Sequence, residues 1–150
     1  MMLRNEILSP IESLGILCAE AQKGAFMKAI ETKAAPAAIG PYSQAIVANG
    51  FVYTSGQIPL NPENGAIEGT TIEEQSERAI KNLGEILKAA GTDFAKVVKT
   101  TCFLANIKDF TAFNAVYEKY FVNKPARSCF EVSALPKNAL VEIEAVAVIE

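Results

Sequence analysis

Two alternating runs in the last third of the chain hold the residue types that could do chemistry: Arg127, Cys129 and Glu131 in one, Glu142 and Glu144 in the other. The first run opens just after Pro125, and alternation puts Arg127, Cys129 and Glu131 on one strand face with Ser128, Phe130 and Val132 on the other. A guanidinium keeps its proton, and its planar fork matches a carboxylate through two parallel hydrogen bonds. An Arg fixed on a strand is therefore an anchor for a small carboxylic acid, with a structural ion pair to Glu131 as the competing role. Glu142 is either a carboxylate that holds or activates a water beside a reacting carbon, or a solvated charge guarding the start of its strand. Glu131 and Glu144 read as structural charges. No histidine exists to turn Cys129 into a thiolate, so it reads as the wall of a site and not as a nucleophile. Cys102, among Val, Thr and Phe, reads as core.

The elements that must position these residues are legible along the chain. Strand-like Gln44–Ala48 and Phe51–Ser55 flank Asn49-Gly50, a hairpin signal. Residues 61–65 are a turn cluster, and 66–68 are at most a short strand. Thr71-Ile72-Glu73-Glu74 is a capping box opening a helix with apolar positions Ile72, Ala79, Ile80, Leu83, Ile86, Leu87 and Ala90, closed by Gly91. Lys96 to Ala105 is a β-branched strand, and Asp109 is expected to cap a second helix that stops before Pro125. Ala126–Ala134 and Leu140–Ile149 are the last strands, with their mutual register left open. The order β-β-(β)-α-β-α-β-β predicts an α+β fold, one sheet and two helices. Beyond Glu144 both faces of the last strand are apolar; two helices can cover only one, so the other calls for a further subunit.

The chain has 150 residues, enough for one domain with its own core. A net charge of −3 gives no general attraction to nucleic acid or anionic membranes, and the absence of histidine excludes Ser-His and Cys-His pairs and nearly every His-containing metal site. Three widely spaced cysteines without C-x-x-C fit a reduced, cytoplasmic protein, and no apolar run approaches a membrane span. In residues 1–26, Ser9-Pro10-Ile11-Glu12 looks like a capping box opening a short amphipathic helix that ends near Gly24. Glu12 and Glu20 make it a poor secretory signal.

Gly40-Pro41-Tyr42-Ser43-Gln44-Ala45, Thr54-Ser55-Gly56-Gln57-Ile58-Pro59, Val98-Lys99-Thr100-Thr101, Pro125-Ala126-Arg127-Ser128 and Val141-Glu142-Ile143-Glu144-Ala145 occur in this order. Together they resemble the Rid family (YjgF/YER057c/UK114), in its archetypal subgroup of reactive-intermediate deaminases, from about Met27 onward. The resemblance implies one Rid-type domain over residues 27–150 behind an extension of unknown status, residues 1–26. It implies a chorismate-mutase-like fold, a single mixed sheet with two helices on one face, assembled as a homotrimer with clefts between subunits. The implied activity is hydrolysis of 2-imino and 2-enamino acids such as 2-aminoacrylate to 2-keto acids and ammonia, without metal or organic cofactor. Arg127 and Glu142 take the catalytic positions. Tyr42, Ser55, Gly56, Asn114 and Cys129 take substrate-binding positions: Tyr42 as lid or donor, Gly56 through its amide beside Ser55, Cys129 as wall. From the residues alone, Tyr42 could equally be packing and Asn114 a cap or helix-packing residue. A regulatory module binding small carboxylates without turnover is the alternative. An endoribonuclease, known in name from this family, is disfavoured by the charge and the missing histidine.

Overall fold

In the computed structural model, which describes residues 26–149, the Asn49-Gly50 pair turns the chain as its sequence predicts. Both residues have positive φ, 50° and 78°, matching a two-residue hairpin turn whose twist suits the flanking strands. The hairpin joins β2 (Ala45–Ala48) to β3 (Phe51–Thr54). An unanticipated strand, β1 (Met27–Ile30), pairs antiparallel with β2. Residues 66–68 form no strand of their own; Ile67 makes one bridge to Leu60. The helix expected near residues 9–24, and Cys18, lie outside the described residues.

Helix α1 (Ile72–Ala89) starts with the predicted capping box: the Thr71 side chain accepts the Glu74 N–H, and the Glu74 carboxylate accepts the Thr71 N–H, each at 3.3 Å. Its stripe of Ala79, Ile80, Leu83, Ile86 and Leu87 is completely buried. Then come β4 (Val97–Leu104), α2 (Phe110–Tyr120), β5 (Ala126–Glu131) and β6 (Val141–Val148). Asp109 does not cap α2 as expected. A 3-10 turn over 107–109 leads into the helix, and the Asn106 side chain caps that turn by accepting the Lys108 N–H at 3.0 Å.

The strands lie in the order β1-β2-β3-β6-β4-β5. Only β4 and β5 are parallel; β6 is inserted between β3 and β4, antiparallel to both. The last two strands are therefore not a hairpin, since β4 separates them. The crossover through α2 carries the chain from β4 to its parallel neighbour β5. Both helices cover the face onto which Val141, Ile143, Ala145 and Ala147 point, and all four are buried there. On the other face, Phe103 is drawn into a small cluster of Ile58, Leu60, Leu135 and Ala139. Tyr53 and Phe130 stay 48% and 44% exposed, and no described segment covers them.

Candidate active site

Arg127 lies on the helix-covered face of β5, opposite Thr100 of β4. Its Nη1 donates to Asn114 Oδ1 at 2.8 Å, and its guanidinium carbon sits 4.7 Å from the Tyr117 ring centre and 5.5 Å from that of Phe110. Tyr117 is itself fixed by a 2.7 Å hydroxyl bond with Thr100 inside the core. Two cation–ring contacts and one hydrogen bond to an amide oxygen thus orient the guanidinium without neutralising it. The competing ion pair does not form: the Glu131 carboxylate accepts the Ile107 N–H at 2.8 Å instead. No ion pair among the described residues uses Arg127. A half-buried, unneutralised cation attracts an anion strongly.

Glu142 lies on the opposite face, across from Phe103. Gln57 and Ile143 exchange backbone hydrogen bonds of 2.8 and 3.1 Å, which lays Gly56 against Glu142. A Cβ at position 56 would fall inside the Glu142 carboxylate, so this approach demands glycine. Among the described residues the Ser55 and Gln57 amides are hydrogen-bonded and the Gly56 amide is not. Ile39, Tyr42 and Pro136 line the same cleft. Burial, reinforced by the charge of Glu144, raises the Glu142 carboxyl above its ordinary pKa.

The cleft wall is held by Gln44, to which sequence reasoning gave no role. Buried Gln44 donates to the Thr32 and Pro36 carbonyls at 3.0 and 2.7 Å and accepts the Thr32 N–H at 2.7 Å. The Tyr42 hydroxyl accepts the Ile39 N–H at 3.3 Å. Ser55 points elsewhere, its hydroxyl donating to the Ser43 carbonyl at 2.6 Å. Tyr117 and Phe110 carry no mark of a site role in the sequence; their approach to Arg127 becomes visible only through the β4–α2–β5 crossover.

Cys129 stands in register with Cys102 of β4. A hydrogen bond to Cys129, and then burial, push the Cys102 thiol far up, whereas Cys129 is held below its ordinary value by that same bond, with Arg127 assisting. The sequence offers Cys129 no histidine and only the nearby Arg127 to favour a thiolate; the neighbouring strand adds Cys102. Among the described residues no group of three or more His, Cys, Asp and Glu could hold a metal ion, and no helix is long and apolar enough to cross a membrane.

Within one chain the expected site residues thus form two clusters on opposite faces of one sheet. Arg127, Asn114 and Cys129 make the first; Tyr42, Gly56 and Glu142 make the second.

A family model described as Endoribonuclease L-PSP matches residues 32–149. The chain is 58% identical over 122 residues to a Lactococcus lactis protein named "Putative regulator AldR", covering 81% of this chain and 97% of that one. It is 51% identical over 122 residues to the human 2-iminobutanoate/2-iminopropanoate deaminase, covering 81% of this chain and 89% of that one. A crystal structure of the Rid-family protein YyfA from Yersinia pestis is 52% identical, with a TM-score of 0.80, covering 83% of this chain and 100% of that one.

Proposed function

The chain belongs to the endoribonuclease L-PSP family, also called the Rid family, and from that membership and the geometry of its two clusters we infer that it is a 2-imino acid deaminase. It hydrolyses 2-imino acids of the 2-iminopropanoate and 2-iminobutanoate class to 2-keto acids and ammonia. The observations that carry the mechanism are an oriented, unneutralised guanidinium on one face and, on the other, a carboxyl of raised pKa packed against Gly56, whose amide is unpaired.

Arg127 binds the substrate carboxylate through its fork, with the Gly56 N–H as a further donor. An enamine such as 2-aminoacrylate first tautomerises to its imine. Glu142 then takes a proton from a water as that water attacks the imine carbon. The resulting carbinolamine expels ammonia and leaves the ketone. Imines are already electrophilic, so positioning and one proton-transfer group are enough to lower the barrier. Removing 2-aminoacrylate before it does damage is the service this chemistry performs.

Side chains on opposite faces of a sheet cannot grip one small acid. We therefore read the complete site as intersubunit, with Arg127, Asn114 and Cys129 from one copy and Tyr42, Gly56 and Glu142 from the next, closed as a homotrimer. The uncovered Tyr53 and Phe130 supply apolar surface for such an assembly. Residues 27–150 form the working domain in this reading, and a reducing cytoplasm suits its free thiols.

The test is direct: generate 2-aminoacrylate in situ and follow its loss with and without the protein. Accelerated loss is expected. The regulator-named relative motivates a second reading, a sensor of small carboxylates. Binding of 2-ketobutyrate without accelerated imine loss would establish that reading and remove the first.

A further inference from the structure

We propose that Cys102 and Cys129 form a peroxide-responsive dithiol site that closes into a β4–β5 disulfide and reopens with a thiol reductant. The proposal stands apart from the deaminase reading. The two residues are direct cross-strand partners on adjacent parallel strands, both on the helix-covered face. Neighbouring strands lie ~4.8 Å apart, inside the ~4.4–6.8 Å Cα separation that a disulfide accepts. The pair also divides the labour such chemistry needs. Cys129 is half-buried beside Arg127 and can meet a small oxidant, while Cys102 is 0% exposed and meets only its partner. The direction of the thiol shifts agrees, since the sulfur favoured as thiolate is the accessible one.

The oxidant is a hydroperoxide, with hydrogen peroxide as the simplest case. The Cys129 thiolate attacks one peroxide oxygen, the O–O bond breaks, and hydroxide leaves to become water with the proton that the thiol had released. Cys129 is then a sulfenic acid. The Cys102 sulfur attacks the Cys129 sulfur, the S–O bond breaks, and the hydroxyl departs as water with the Cys102 proton. Two thiols are oxidised to a disulfide while one peroxide is reduced to two waters. Bridging parallel neighbours draws their Cβ atoms closer than the sheet spacing, which leaves the bond strained and readily reduced.

The full chain carrying Cys18→Ser, which removes the third thiol, is exposed to hydrogen peroxide, blocked with N-ethylmaleimide under denaturing conditions and peptide-mapped without reduction. The expected result is a cross-linked peptide joining positions 102 and 129 within one chain, an intact mass lower by two hydrogens, and recovery of both thiols with dithiothreitol. Adding Cys102→Val should leave Cys129 as a sulfenic acid that dimedone traps and that proceeds to sulfinic acid. Should that variant fail to fold, the map of the Cys18→Ser chain still decides. Two maleimide-labelled thiols after peroxide, sulfinic acid at Cys129 in place of the bridge, or a bridge between two chains would each overturn the proposal.

Discussion

Arg127 and Glu142 make different demands on their substitutes. Arg127→Lys keeps the charge but loses both the fork and the guanidinium's contact with the Tyr117 ring, so it should weaken binding of substrate and of inert 2-keto acids together. Arg127→Ala should cost about 2–5 kcal/mol of that binding, since the carboxylate would enter the cleft without its cation. Calorimetry with 2-ketobutyrate measures both, and unchanged affinity in the alanine variant would end the anchor model. Glu142→Gln should leave 2-ketobutyrate binding nearly intact while slowing turnover by roughly a hundredfold, the usual worth of one acid–base group. Because burial raises the Glu142 pKa, the acid limb of kcat/KM should lie above the ~4.3 of an ordinary glutamate, and the Gln variant should lack it. Stability should follow the same sign. A carboxyl whose folded pKa is raised favours folding while protonated, and that contribution is lost as pH rises through the folded pKa. Glu142→Gln should therefore melt higher than the parent at neutral pH; a lower melting temperature would refute burial as the cause. The residue types that the proposed chemistry uses, an Arg, a Glu and a Gly, stand out in the sequence. The Cys102–Cys129 pair did not, because the two are far apart in sequence and only the parallel pairing of β4 and β5 sets them side by side.

Local signals fixed the elements, and local substitutions should test them. Thr71→Ala removes the acceptor of the Glu74 N–H at the start of α1 and should cost about 1 kcal/mol, read as a lower urea midpoint. The cap also sets a pH dependence. Backbone bonds from Thr70 and Thr71 hold the Glu74 carboxyl below its ordinary pKa, so its contribution is present above the unfolded value and lost as pH falls through the folded one. A Glu74→Gln variant destabilised equally at acid and neutral pH would contradict that account. The hairpin, α1 and the strand faces were readable because each rests on turn chemistry or period within a few residues. Two features escaped. Met27-Lys28-Ala29-Ile30 has no alternation to mark it as β1, and it is held in place by β2. A 3-10 turn capped by Asn106 leads into α2, whose own N-cap residue, Asp109, makes no side-chain cap bond, so the acid nearest the helix misled.

At the scale of the whole molecule, one topological fact governs the site: β6 is inserted between β3 and β4, and its Glu142 faces away from the helices that Arg127 meets. Alternation gave the faces within each strand, but no sequence pattern relates the faces of strands that pair across the chain. Together with the uncovered Tyr53 and Phe130, this arrangement supports the proposed intersubunit reading, in which each copy is half of two sites. The consequence is complementation between inactive variants. Arg127→Ala and Glu142→Gln, refolded together in equal amounts, should assemble into random trimers. Each mixed trimer joins one intact Arg127 to one intact Glu142 across a single interface. Since three-quarters of random trimers are mixed, activity should return to about a quarter of the parent's, as a closed heterologous ring requires. Native mass spectrometry confirms the mixing. Verified mixed trimers no more active than the two variants apart would show that the site is built within one chain, and a monomer by light scattering would dismiss the ring altogether.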